Sequence, residues 1–151
     1  MPLLRGIMKT LIMTLLLISS LSHATEKPLA KTMNDKDLKW GPCPEIFPKG
    51  CEISILQGEP EKPGADVYLR VPGNYKIPPH THTSAEHMIL VSGKLEVKYQ
   101  GEKALSLVKG SYAYGPPQHP HQAVCSSKEP CVLFISFDAP IDAKAFSGNL
   151  K

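Results

Sequence analysis

Histidines are the residues whose spacing most strongly indicates chemistry in this chain. Five of the six lie within 42 consecutive residues, at positions 80, 82, 87, 119 and 121. His80 and His82 are two residues apart, so on a β-strand both imidazoles point to one face, roughly 6.6 Å apart along the chain. Two imidazole nitrogens at that separation can converge on one metal ion at about 2.1 Å each. The pair therefore predicts half of a metal site.

The other ligands of such a site are available nearby. Glu86 shares the parity of the histidine pair, whereas His87 points the opposite way and is expected to make a hydrogen bond instead of a metal bond. A third imidazole can come from a distant strand, and the His119-Pro-His121 segment supplies two candidates. Taken singly, these residues also fit surface or hydrogen-bonded positions. Together, three neutral nitrogens and one carboxylate suit Mn, Fe, Ni, Cu or Zn better than Ca or Mg.

Short strands joined by turns are expected to position these side chains. Fifteen prolines among 151 residues disfavour a coiled coil or a helical bundle. Alternating or continuous apolar runs predict strands, and the tail from Ala139 has room for one helical turn. The strands are expected at residues 52–57, 66–71, 86–91, 94–99, 104–108, 111–114 and 132–137. This pattern of short strands and frequent turns predicts a small all-β sandwich or barrel.

Two segments resemble the sequence motifs of the cupin superfamily. Residues 73–93 read Gly-Asn-Tyr-Lys-Ile-Pro-Pro-His-Thr-His-Thr-Ser-Ala-Glu-His-Met-Ile-Leu-Val-Ser-Gly and are similar to the first motif, G-x5-H-x-H-x3,4-E-x6-G. Residues 110–121 are similar to the second, G-x5-P-x-G-x2-H. There are two departures: six residues instead of five precede His80, and Gln118 stands where the second motif has glycine. The resemblance covers about residues 50–138 and extends to single-domain cupins of the ChrR-like type.

The resemblance implies a fold, a ligand set and a range of functions. The fold is a small single-domain cupin β-barrel, also called a double-stranded β-helix or jelly roll. The metal ligands are His80, His82, Glu86 and His121, with His119 in place of His121 if Gln118 shifts the turn. One divalent transition metal with open coordination positions implies an enzyme acting on a small molecule, as a dioxygenase, isomerase or lyase. The alternative is a non-catalytic cupin that binds or senses a small molecule or a metal, and a homodimer is implied in either case.

The first 24 residues predict a secretory signal peptide. Arg5 and Lys9 precede an apolar run over residues 10–21, and the small residues Ser22 and Ala24 form a cleavage site. The rival interpretation, an uncleaved anchor, is disfavoured because the run is shorter than the roughly 20 residues that span a bilayer. Met8 opens an equally good signal. We therefore expect a periplasmic or secreted protein, with a polar lead-in over residues 25–38 and the barrel over residues 39–151.

Four cysteines agree with export. Cys43 and Cys51 are eight residues apart and Cys125 and Cys131 are six apart, which favours two local disulfides among the three possible pairings. A zinc site is the alternative, but the sequence has no C-x-x-C.

The charge of the chain indicates no polyanionic partner. Its net charge of +3 falls to +1 when cleavage removes Arg5 and Lys9. No cluster of basic residues interleaved with aromatics is present, so we expect no nucleic-acid binding.

Overall fold

The computed structural model describes residues 27–151, of which residues 31–151 form one compact unit. This part of the chain contains no helix and therefore no helical membrane span. The seven strands predicted from the sequence are all present, each within one residue of the expected bounds. The strands are Gly41–Pro42 (β1), Glu52–Gln57 (β2), Ala65–Val71 (β3), Lys76–Thr81 (β4), Glu86–Ser92 (β5), Leu95–Tyr99 (β6), Leu105–Leu107 (β7), Tyr112–Gly115 (β8), His121–Cys125 (β9), Cys131–Phe137 (β10) and Lys144–Ala145 (β11).

These strands form two antiparallel sheets around a shared core. One sheet has the order β1-β2-β3-β10-β5-β8, and the other has the order β11-β4-β9-β6-β7. Strand β6 illustrates how each strand presents one face to this core. Leu95, Val97 and Tyr99 are buried, whereas Glu96 is exposed, because successive side chains point to opposite faces. Inward side chains of both sheets make one apolar cluster. The predicted all-β fold of jelly-roll type is confirmed.

Strand β4 carries the histidine pair although it contains two adjacent prolines. Pro78 and Pro79 have no N–H to donate, and the register between β4 and β9 shifts between Ile77 and His80. In a regular strand, residues three apart point to opposite faces. Here Ile77 and His80 both face the barrel interior. The irregularity therefore turns His80 inward.

The tail after Ala139 differs from the sequence-based expectation. No helical turn forms there, so that expectation is wrong. Instead, β11 pairs antiparallel with Thr81 and His80 of β4. The N–H of Phe146 also donates to the Pro79 carbonyl at 3.0 Å. Backbone hydrogen bonds to a sheet edge thus replace those of a local helical turn.

Both predicted disulfides are confirmed. Cys43–Cys51 closes the loop after β1, and Cys125–Cys131 joins the end of β9 to the start of β10. No free cysteine remains among the described residues, so the alternative of a cysteine zinc site is wrong. The predicted signal peptide, residues 1–24, lies outside the described residues and stays a prediction.

Candidate metal centre

Four buried side chains meet in the barrel interior. His80 and His82 come from β4 and the turn after it, Glu86 begins β5, and His121 begins β9. None of the four is more than 7% exposed. The ligand nitrogens of the three histidines lie within 4.8 Å of one another. The Glu86 carboxylate oxygens lie 3.2 Å from Nε2 of His82 and 3.3 Å from Nε2 of His121. The structure thus brings together the four side chains that the sequence analysis selected.

Backbone carbonyls fix the orientation of all three imidazoles. The acceptors are the carbonyl of Pro78 for His80, at 2.7 Å, that of His119 for His121, at 3.0 Å, and that of Asp142 for His82. A carbonyl oxygen only accepts, so Nδ1 of each ring carries a proton, and Nε2 of each neutral ring keeps its lone pair. Metal-binding histidines typically donate their second ring N–H in this way. The three rings are therefore set to offer Nε2 to the cluster.

Two polar atoms of the cluster make no hydrogen bond within the described part of the chain. They are Nε2 of His82 and Oε2 of Glu86, both fully buried. The nearest ionisable atoms, Oε1 of Glu86 for His82 and Nε2 of His121 for Glu86, lie 3.2 and 3.3 Å away, outside hydrogen-bonding geometry. Buried polar atoms in folded proteins nearly always have a partner. A divalent transition ion accepts electron pairs from both atoms, and the donor set therefore fits such an ion.

The electrostatics of the cluster keep one imidazole neutral and the carboxylate charged. Burial, reinforced by repulsion from His121 and His82, lowers the pKa of His80 to about 3. Burial also opposes the charged forms of Glu86 and His121. Attraction between these two, joined at Glu86 by attraction from His82 and His80, outweighs it, so that the pKa of Glu86 is lowered and the pKa of His121 is raised. Glu86 is thus the anion of the cluster, and His80 offers a lone pair at neutral pH.

The two remaining histidines of the described chain lie outside this cluster. The side chain of His87 is 40% exposed on the outer face of β5, and its Nδ1 lies 2.8 Å from the Tyr112 hydroxyl. This agrees with the predicted hydrogen-bonding role. The ring of His119 packs beside that of Tyr99, with 5.9 Å between centroids. It does not belong to the group of imidazoles that can share an ion.

Gln118, which stands where the second motif has glycine, takes a backbone conformation that glycine adopts readily. Its φ is +61°, in the left-handed region, and its N–H donates to the His82 carbonyl at 2.8 Å. This bond ties the turn before β9 to the turn after β4. It is accordingly the ring of His121, and not that of His119, that enters the cluster.

Comparison with known proteins decides the family. Residues 30–139 match the ChrR cupin-like domain. The chain belongs to this family. The match spans both histidine motifs, so the resemblance seen in the sequence to cupins of the ChrR-like type is confirmed. No curated protein matches the sequence.

Solved structures of other proteins share this cupin fold at low sequence identity. An RmlC-like cupin from Shewanella frigidimarina is 19% identical, with a TM-score of 0.58 over 70% of this chain and 86% of its own. The polyketide cyclase RemF from Streptomyces resistomycificus is 17% identical, with a TM-score of 0.64 over 80% of this chain and 88% of its own. The DMSP lyase DddQ from Ruegeria pomeroyi is 18% identical, with a TM-score of 0.62 over 74% of this chain and 64% of its own. These likenesses show the fold alone.

A small apolar cavity of this cupin lies against the four side chains of the cluster, His80, His82, Glu86 and His121. Its volume is about 60 Å³, and most of its wall consists of apolar side chains from both sheets. Met88 and Ile135 line it. Leu90 is completely buried but does not reach the cavity, and Phe134 packs against Tyr68 on the outer face. The space next to the cluster is thus narrow and mostly apolar.

Tyr99 is a residue of the site that sequence reasoning missed. It is 5% exposed, and its ring lies 5.3 Å from that of His121. Its buried hydroxyl has no hydrogen-bond partner among the described residues. Burial, and then the charge of Glu86, raises the pKa of this hydroxyl. The only sequence signal is its inward parity on β6, because its pairing with His121 depends on the register of two strands.

Proposed function

We propose that this cupin binds one divalent transition metal through His80, His82, Glu86 and His121 and uses it to act on a small molecule. The observation that carries the proposal is the set of three Nδ1–H bonds to backbone carbonyls. Together they leave three Nε2 lone pairs beside one buried carboxylate. Such preorientation is what metal affinity requires of a site built on rigid strands.

A bound ion of this kind polarises a carbonyl or lowers the pKa of a bound water. The residues of the chain supply charge compensation, orientation of the ligands and exclusion of water. Glu86 offsets part of the positive charge, the carbonyls hold the rings, and the apolar wall limits the entry of water. Four protein ligands leave one or two positions on an ion that prefers five or six. The lyase and the cyclase among the structural neighbours support chemistry of the lyase, isomerase or dioxygenase type, by analogy of fold.

One observation favours a non-catalytic binding or sensing role as the second candidate. Apart from the four cluster residues, Asp142 is the one ionisable side chain among the described residues that line the cavity. Its carboxylate accepts the N–H of Thr83 at 2.7 Å. The cavity wall therefore offers no uncommitted acid or base for proton transfer, and a catalytic role has to depend on the ion itself or on Tyr99.

We also propose that the protein is exported to the periplasm or secreted after cleavage of residues 1–24. The charged start, the short apolar run and the small residues at positions 22 and 24 support this placement. The two disulfides support it too, because disulfides persist in oxidising compartments.

A homodimer is a further part of the proposal. Ile89 and Tyr112 face each other across β5 and β8, and they are 41% and 58% exposed. This exposed apolar surface supports association of two copies. Light scattering coupled to size-exclusion chromatography checks it, since a monomeric mass at micromolar concentration would contradict a dimer.

Elemental analysis of the protein purified from its native compartment tests the metal proposal. We expect about one transition-metal ion per chain, retained through dialysis against metal-free buffer. Substrate screening of the loaded protein then separates the enzyme from the sensor. Protein that is purified without metal and takes up none from micromolar zinc or manganese would contradict both the enzyme and the sensor proposals.

A further inference from the structure

The loop closed by the Cys43–Cys51 disulfide forms one wall of the cavity beside the metal ligands. Cys43, Pro44, Phe47 and Cys51 all line that cavity. The ring of Phe47 meets the ring of His80 edge to face, with 5.0 Å between centroids and 83° between planes. Phe47 is thus the aromatic side chain that covers the cluster from the loop side.

This loop is fixed to the barrel at several points. Before the loop, β1 pairs with β2 through Gly41 and Ile53. At its ends the disulfide is joined by a bond from the N–H of Cys43 to the Cys51 carbonyl, at 3.2 Å. In its middle, the Tyr75 hydroxyl donates to the Pro48 carbonyl, next to Phe47. The position of Phe47 is therefore set by the fold, and its ring acts as a fixed wall.

The space that remains is small. The cavity measures about 60 Å³. For comparison, an apolar protein cavity of about 150 Å³ binds one benzene, which has six carbon atoms. In proportion, this cavity has room for roughly two or three non-hydrogen atoms next to the ligand nitrogens.

The wall also limits the charge of a ligand. No lysine or arginine is found among the described residues that line the cavity. The only other charged side chain there, Asp142, is an anion whose carboxylate faces Thr83 and Lys144. A divalent ion held by Glu86 and three neutral histidines keeps one unit of positive charge, which a single anionic group balances. A second anionic group would be buried without a counter-charge, which is strongly unfavourable.

We propose that Phe47 determines the size of the ligand that reaches the metal, and that the site takes ligands of about formate size with at most one negative charge. This inference rests on the proposed metal site. It assigns the substrate or effector of that site to small monoanions or small neutral molecules. It makes Phe47 a specificity-determining residue.

Binding of simple carboxylates to the cobalt(II)-loaded protein tests this inference. Cobalt(II) reports coordination of an added ligand through its visible absorption, without any assay of activity. Formate, butyrate and malonate are titrated separately into the full mature chain. Formate and butyrate donate the same carboxylate and differ in chain length, whereas malonate adds a second charge. We expect formate to bind at least about tenfold more tightly than butyrate, and malonate to change the spectrum least.

Variants of Phe47 and Phe134 distinguish a specific effect of the Phe47 ring on ligand size from a general effect of losing a packed phenylalanine. Phe47→Ala should raise the affinity for butyrate at least about tenfold and leave that for formate within about twofold. Phe134→Ala removes the same ring from the outer face and should bind like the wild type. Phe47→Leu, which keeps an apolar side chain in the loop, should lie between the wild type and Phe47→Ala.

The possible outcomes distinguish failure of the Phe47 inference from failure of the proposed metal site. Equal affinity of the wild type for formate and butyrate, or an unchanged ratio in both Phe47 variants, would overturn the role of Phe47. Tight binding of malonate would overturn the charge limit. Failure of the wild-type protein to bind cobalt, seen by elemental analysis before any carboxylate is added, would instead contradict the metal site itself.

Discussion

His80 and His121 are register partners on neighbouring antiparallel strands, and their ring centroids lie 4.2 Å apart. The two motifs that carry these residues are far apart in the sequence and meet through the pairing of β4 with β9. The carbonyls of Pro78 and His119, each two residues before its histidine, orient the two rings in the same way. The candidate metal centre is thus built where β4 ends and β9 begins, and at both places a histidine ring bonds to the carbonyl two residues before it.

Removing the metal should weaken the fold without abolishing it. The core between the sheets is apolar and both disulfides lie outside the cluster, so the strands do not need an ion to form. A ligand at 100 times its dissociation constant stabilises a protein by about 2.7 kcal/mol. We therefore expect a chelator to lower the melting temperature by about 10 °C and to leave the β-type circular dichroism at 25 °C unchanged. Loss of that spectrum on chelation would show that the metal is required for folding.

Gln118→Gly should stabilise the protein, because residue 118 has a φ of +61°. Glycine adopts this conformation without the strain that a Cβ introduces. We expect an increase of about 1 kcal/mol in the free energy of unfolding, measured with denaturant. The matched variant Gln118→Val places a β-branched residue at the same φ and should lower stability by a similar or larger amount. Equal stability of the two variants would argue against a left-handed turn at this position.

Replacing the buried disulfide should be costly. Cys125 and Cys131 are completely buried and close a short loop between β9 and β10. Their double substitution to serine removes the constraint on the unfolded chain, which is worth about 2–3 kcal/mol for a loop of this length. Denaturant unfolding of the double variant against the wild type measures the difference. The wild type should also show no thiol that reacts before reduction, and reactive thiols in the folded protein would contradict the disulfides.

The processed protein should begin at Thr25. The small residues Ser22 and Ala24 stand three positions and one position before that bond, as a signal peptidase requires. The intact mass of protein isolated from the periplasm or the medium measures the terminus. A mass that includes residues 1–24 would mean that the segment is retained as an anchor.

Local patterning was sufficient to predict most of the strands. Strand β6 alternates buried and exposed residues, and β2 follows the same rule closely enough to be bounded correctly. Strand β4 does not alternate buried and exposed residues regularly, because the register shifts at Pro78 and Pro79. Only the histidine motif indicated an extended segment there. The two-residue strands β1 and β11 are too short for any period to appear in the sequence.

The parts of the site that the sequence did not predict depend on contacts between distant segments. Tyr99 reaches the cluster only through its pairing with His121 across β6 and β9. Phe47 reaches His80 because a disulfide and the Tyr75 hydroxyl hold its loop over the barrel. Neither residue lies in a recognisable motif, and their roles follow from the three-dimensional arrangement.

The metal content of single variants tests the central claim most directly. Zinc bound per chain is measured after equilibrium dialysis for the wild type, His82→Ala, Glu86→Gln, His87→Ala, His119→Ala and His121→Ala. We expect affinity to fall more than about tenfold in His82→Ala and His121→Ala, and less in Glu86→Gln, because an amide still offers an oxygen. His87→Ala and His119→Ala, which lie outside the cluster, should bind like the wild type. Loss of zinc in His119→Ala with full occupancy in His121→Ala would show that the fourth ligand is misassigned, and full occupancy in all five variants would contradict the metal centre.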